Sequence, residues 1–103
     1  MPLAIIVSPR AHQDIDDCAA FISKDNLDAA LRFLDAYNSA LELLIEYPRI
    51  GSRFPVEGFE NLDIRYILVP GFERYLVFYA LQDDAIRVYR VIHSSREYDP
   101  ELE

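Results

Sequence analysis

Hydrophobic and polar positions divide the chain into two parts with different periods. Between Pro9 and Tyr47 the apolar residues recur every three or four positions, whereas beyond Leu62 they alternate or run together. Ile15, Cys18, Ala19 and Ile22 lie at helical spacing. Ser8-Pro9 ahead of them supplies an N-cap hydroxyl and a proline at the first helical position, where no N–H is missed. The spacing predicts a first helix over about residues 9–24, with Asp14, Asp16 and Asp17 in the half that the helix dipole leaves positive. Asp25-Asn26 breaks the pattern and caps a second helix. Its apolar face reads Ala30, Phe33, Leu34, Tyr37, Leu41 and Leu44, and Pro48 ends it. Two long helices joined by two or three residues lie as an antiparallel hairpin.

Leu3 to Val7 is a short β-branched run and reads as a first strand. Residues 48–61 hold Gly51, Gly58 and Pro55 and read as a loop. Three strands follow at about 62–69, 74–81 and 85–93, with Pro70-Gly71 and Asp83-Asp84 as the hairpin turns. The order β-α-α-β-β-β, with most strands segregated after the helices, predicts a single α+β domain over residues 1–103: a helical hairpin packed on a mainly antiparallel sheet. The last strands are apolar on both faces, with Leu76 and Phe78 on one and Tyr75, Val77 and Tyr79 on the other. One hairpin covers one face, so the second face calls for cover from the chain's own C-terminus or from a partner.

Composition fits one small core, since 103 residues with 51% hydrophobic content suit one domain. No run approaches the roughly 18 consecutive apolar residues of a membrane span. Met1 to Val7 lacks the basic region and long apolar stretch of a secretory leader, and the one cysteine, Cys18, fits a reducing compartment. A cytoplasmic location is expected. Charge changes the picture more. Ten basic side chains, with Lys24 the only lysine, stand against eighteen acidic ones for a net charge of −8. Phosphate neutralisation supplies most of the affinity of a free-standing nucleic-acid binder, and this chain has no basic run to provide it. The balance points to a protein partner.

Candidate chemistry is sparse. His93 and Arg96, at a strand end and the following turn, can project side by side, an imidazole for proton transfer and a guanidinium for a phosphate. The plainer alternative pairs Arg96 with Glu97 or Asp99 and leaves His93 capping backbone groups. Arg65 and Arg90 sit inside predicted strands and either converge with Arg96 on an anion or pair with acidic neighbours across strands. Arg49 and Arg53 are expected to be solvated. His12 and Asp16 at i, i+4 do not make a zinc site alone. Cys18 lies on the apolar stripe of the first helix, which suits packing rather than nucleophilic catalysis. There is no Gly-rich phosphate loop and no serine elbow, so no cofactor or metal is expected.

Several pieces, in order, resemble the ParE/RelE superfamily of toxins from bacterial type II toxin–antitoxin modules. They are Ser8-Pro9-x-Ala11 with Asp14; Ala29-Ala30 with Phe33; Pro48-x-x-Gly51; Arg65; Tyr75-x-x-Phe78-Tyr79; and Arg90-Val91-x-His93-x-x-Arg96. The resemblance implies one of two activities. RelE-like members cleave messenger RNA on the ribosome, using clustered lysine and arginine with a general acid or base. Here Arg65, His93, Arg96 and Tyr98 would have to supply that set, without lysines. ParE-like members, associated with plasmid stabilisation, poison DNA gyrase by protein contact and catalyse nothing themselves. The acidic balance favours this branch, which requires no catalytic residue, and the ribonuclease is the alternative. Either branch implies a cognate antitoxin, ParD-like or similar, laying a helix on the hairpin and extended chain along the sheet. Phe33, Tyr37, Leu76, Phe78 and Arg90 are the candidate contacts, and a weak homodimer is expected when the antitoxin is absent. Antitoxin tails of this group are often acidic. This acidic chain therefore needs either a local basic surface, from Arg65, Arg74, Arg90 and Arg96, or an unusually basic antitoxin.

Overall fold

The computed structural model describes residues 3–95, so Arg96 and Tyr98 lie outside the described residues. Strand β1 (Ala4–Val7) leads into helices α1 (Pro9–Ser23) and α2 (Leu27–Glu46), followed by β2 (Ser52–Arg53), β3 (Arg65–Val69), β4 (Phe72–Gln82) and β5 (Ala85–His93). The five strands form one sheet in the order β1-β5-β4-β3-β2. Neighbours are antiparallel except β1 and β5, which run parallel, with Ala4 opposite Ala85 and Val7 opposite Val88. This is the α+β arrangement that the sequence predicts. No helix among the described residues is long and apolar enough to cross a membrane.

Local chemistry sets the element ends. The Ser8 hydroxyl accepts from the Ala11 N–H at 3.0 Å, capping α1, and donates to the Tyr89 carbonyl at 3.0 Å, which ties the cap to β5. Asn26 caps α2 by accepting from the Ala29 N–H at 3.0 Å. Asp83 and Asp84 both take left-handed backbone angles, φ 53° and 60°, the twist that a two-residue hairpin between β4 and β5 demands.

The helices pack Ala11, Ile15, Phe33, Tyr37 and Leu44 against Tyr75, Val77, Tyr79, Ile86 and Val88. Phe33 sits at their centre, edge-on to Phe72 with ring centroids 5.4 Å apart and tilted against Tyr75 at 4.9 Å. The opposite face differs from expectation. Among the described residues the segment 54–64 covers it, folding Val56 and Ile64 onto Leu76, Phe78, Ala80 and Ile92. Phe54 packs edge-on to Phe78 with centroids 5.2 Å apart. Three short-range bonds hold the cover: Phe54 N–H to the Ile64 carbonyl, Phe59 N–H to Val56 and Leu62 N–H to Phe59. Recruiting this segment explains why β3 starts at Arg65 rather than at 62, and why a two-residue strand, β2, interrupts the expected loop.

One irregularity matters for the site. Tyr79 pairs with Val88 but Phe78 pairs with Arg90, so Tyr89 is an extra residue on β5. Such a bulge bends a strand and re-aims its side chains. Here it accompanies an Arg90 side chain directed at α1.

Candidate functional site

The three described candidates for chemistry occupy three separate environments. Arg90 is buried and bound to Asp14 of α1: its Nε donates to Oδ2 at 2.7 Å and its Nη2 to Oδ1 at 3.3 Å. Asp14 Oδ2 also accepts the Val91 backbone N–H at 3.0 Å, and Arg10 Nε approaches Oδ1 at 4.0 Å. The carboxylate therefore takes over the edge of β5 where β1 has ended. A buried pair so fully bonded fixes geometry more than it adds net stability, because both charges were taken out of water.

Arg65 is a clamp. Its Nη1 donates to the carbonyls of Arg49 at 3.0 Å and Gly51 at 2.9 Å, and its Nε donates to Asp63 at 3.0 Å. Asp63 also meets Arg53 of β2 at 3.3 Å, a surface ion pair that leaves the Arg53 side chain 73% exposed. The Tyr79 hydroxyl accepts the Gly51 N–H at 2.9 Å. A side chain at 51 has no room, since a Cβ would lie 2.6 Å from that hydroxyl and 2.7 Å from the Tyr66 carbonyl. Burial pushes the Tyr79 phenol up from its ordinary pKa, against the opposing pull of the Gly51 bond and the Arg65 charge.

His93 closes β5 half-buried. Its ring packs edge-on to Tyr75, centroids 4.8 Å apart. Nδ1 accepts the Ser95 N–H at 3.0 Å and lies 2.7 Å from the Ser95 hydroxyl, which leaves the neutral ring's proton on Nε2. His93, Tyr75 and Ser95 line one side of a pocket of about 300 Å³, and Asp14, Asp17 and Phe21 of α1 line the other.

The structure does not bring Arg65 to His93. Arg65 stands opposite Tyr79 on β4 and His93 opposite Tyr75 on the other side of that strand. That is four residues, or about 13 Å, along the sheet. The expected basic surface of Arg65, Arg74, Arg90 and Arg96 does not assemble among the described residues either: Arg65 and Arg90 are committed to carboxylates and Arg74 stands exposed. Nor is there any group of three His, Cys, Asp or Glu among the described residues that could hold a metal ion.

The candidate antitoxin contacts Phe33, Tyr37, Leu76, Phe78 and Arg90 are all interior side chains. Of the large apolar residues that do face solvent, Phe21, Leu27 and Leu31 lie where the helices meet and Leu43, Tyr47 and Ile50 at the far end of α2, while Ile6 and Leu68 lie on strands. These surface residues escape the reading of the apolar stripe because they lie off it. Their size at positions facing away from the core is the signal that could have found them. The pairing of Asp14 with Arg90 escapes for another reason, the two being 76 residues apart in sequence.

Compared with known families, residues 5–98 match the one described as "ParE toxin of type II toxin-antitoxin system, parDE". No curated protein matches the chain.

Proposed function

The chain belongs to the ParE toxin family of type II toxin–antitoxin systems, and from that membership we propose that it poisons DNA gyrase by protein–protein contact and is neutralised by a cognate antitoxin. The observation that carries the choice of gyrase over messenger RNA is the state of the candidate acid–base groups. Arg90 is locked to Asp14, Arg65 to Asp63 and two carbonyls, and among the described residues His93 contacts Ser95 and Tyr75. Cleavage of RNA through its 2′-hydroxyl needs a proton acceptor next to cations free to stabilise the phosphorane. A net charge of −8 adds repulsion from the ribosomal decoding site. A gyrase poison needs only a surface.

Purified protein is expected to inhibit gyrase supercoiling and, with ATP, to accumulate cleaved plasmid complexes. The same preparation added to translating ribosomes should leave a labelled messenger intact. Site-specific cuts in the messenger beside untouched gyrase would reverse the assignment in favour of the RelE-like reading. The antitoxin half is tested by co-expressing the product of a small neighbouring open reading frame. It should restore growth and protect backbone amides in α2 and in residues 74–92 from hydrogen exchange.

A further inference from the structure

We propose that the pocket between α1 and the adjoining ends of β4 and β5 is a receptor for one arginine side chain, presented by the antitoxin. The proposal rests on the antitoxin reading above only for the identity of the partner. The pocket itself, about 300 Å³, lies at the lower end of the about 300–1,000 Å³ typical of ligand sites. It therefore suits a group of side-chain size. Tyr75 and Val91, both buried, form its base, and Phe21, 63% exposed, stands at its rim.

Charge selects the occupant. Asp14 is saturated, both oxygens taken by Arg90 and the Val91 N–H. Asp17, one turn further along α1, is not. One oxygen accepts from Gln13 Nε2 at 2.9 Å, and no salt bridge among the described residues involves the carboxylate. Among the described residues the uncompensated charge in the pocket is therefore negative, and the net charge of the chain reinforces it. A cation with an apolar stem satisfies both features. Its methylenes would lie along Phe21 and Val91, and its charge would reach Asp17. Between the two basic side chains the aromatic lining decides, because a guanidinium is more weakly hydrated than an ammonium and stacks on aromatic faces. The reading also accounts for an acidic toxin in a module whose antitoxin must bind it: the antitoxin is basic where it meets α1.

The test uses the intact chain, isotopically labelled for amide NMR, and four probes: the N-acetyl methylamides of arginine, lysine, leucine and glutamate. The arginine probe is expected to shift the amides of Val91, His93 and Ser95 saturably, with the lysine probe weaker and the leucine and glutamate probes without effect. Asp17→Asn, at an exposed position, should keep the fold and weaken the arginine probe about three- to fivefold, as loss of one partly exposed charge pair implies. Failure of the arginine probe to move these amides, a leucine or lysine probe that binds as tightly, or an Asp17→Asn chain with unchanged affinity would each overturn the proposal. Growth rescue is scored separately. Rescue by the neighbouring gene without arginine-probe binding removes the pocket and leaves the antitoxin reading intact. Probe binding without rescue supports the pocket and removes that reading.

Discussion

The two faces of the sheet bury similar side chains by different means. On one, α1 and α2 lay a periodic stripe centred on Phe33 across the strands. On the other, eleven residues without a repeating period, 54–64, fold down over Leu76 and Phe78. Two arginines tie the sheet to the elements around it. Arg90 joins β5 to α1 through Asp14, and Arg65 joins β3 to the loop at Arg49 and Gly51. A helix supplies its own backbone hydrogen bonds, so its cover needs only side-chain packing and one anchor. A loop cover has fewer internal bonds, here Phe54 N–H to Ile64, Phe59 N–H to Val56 and Leu62 N–H to Phe59, and the arginine of β3 holds the carbonyls of the chain just before it. The helix side is therefore expected to resist local opening, and the loop side to open first.

The largest expected effect tests the helix-side anchor. Asp14→Ala strands a buried guanidinium and should lower stability by about 3–5 kcal/mol in urea unfolding. Adding Arg90→Met should recover much of that loss, and a double variant no more stable than Asp14→Ala would show that the charge left behind is not the cause. Packing comes next. Phe33→Ala is expected to cost about 3–5 kcal/mol, as for a fully buried ring. Phe59→Ala, at a partly buried ring of the loop cover, should cost about 1–2 kcal/mol and speed hydrogen exchange around Leu76 to Ala80 while leaving α2 unchanged. Equal losses, or exchange rising in both regions, would break the contrast between the faces.

The loop tie is probed by Gly51→Ala. The added methyl meets the Tyr66 carbonyl and the Tyr79 ring, so a loss of about 1–3 kcal/mol is expected in the same unfolding assay, with wild-type stability arguing against a tight approach there. The smallest effect lies under the helices. The Tyr37 hydroxyl is buried and has no hydrogen-bond partner among the described residues, and burial raises its pKa from 10.0 to about 12. The stability this proton provides is complete below pH 10 and declines as pH rises towards 12, where only the unfolded phenol has already ionised. Tyr37→Phe should match or exceed the parent at pH 7 by up to about 1 kcal/mol and lose stability less steeply above pH 10. Tyr79 and Tyr89, also raised by burial, keep the slope from vanishing.

What was legible in the sequence follows the same division. Helices announce themselves by period and caps, so Ser8-Pro9 and Asn26 place α1 and α2 to within a residue or so, and the apolar run from Ala85 to His93 marks β5 at both ends. The segment 54–64 has turn residues and aromatics but no period. Its role appears only once Leu76 and Phe78 need a cover that the C-terminus does not supply among the described residues. The candidate site was legible in its residue types and not in its partners. Arg65 and Arg90 stand out as arginines within strands, yet the carbonyls of Arg49 and Gly51 and the carboxylate of Asp14 are selected by topology, which spacing along the chain does not encode.

The parallel pairing of β1 with β5 also sets an order of events in time. Ala4 faces Ala85, and the Ser8 N–H donates to the Val88 carbonyl. Among the described strands β1 thus has no neighbour in the sheet until β5 exists. Contacts across such a separation form late, because the intervening chain must be closed first. A nascent chain that has not reached β5 can form its helical hairpin, but it lacks the Asp14–Arg90 pair and the wall of the α1 pocket that β5 provides. Synthesis itself therefore delays the finished surface, and an antitoxin that recognises that surface has nothing complete to bind until β5 has arrived.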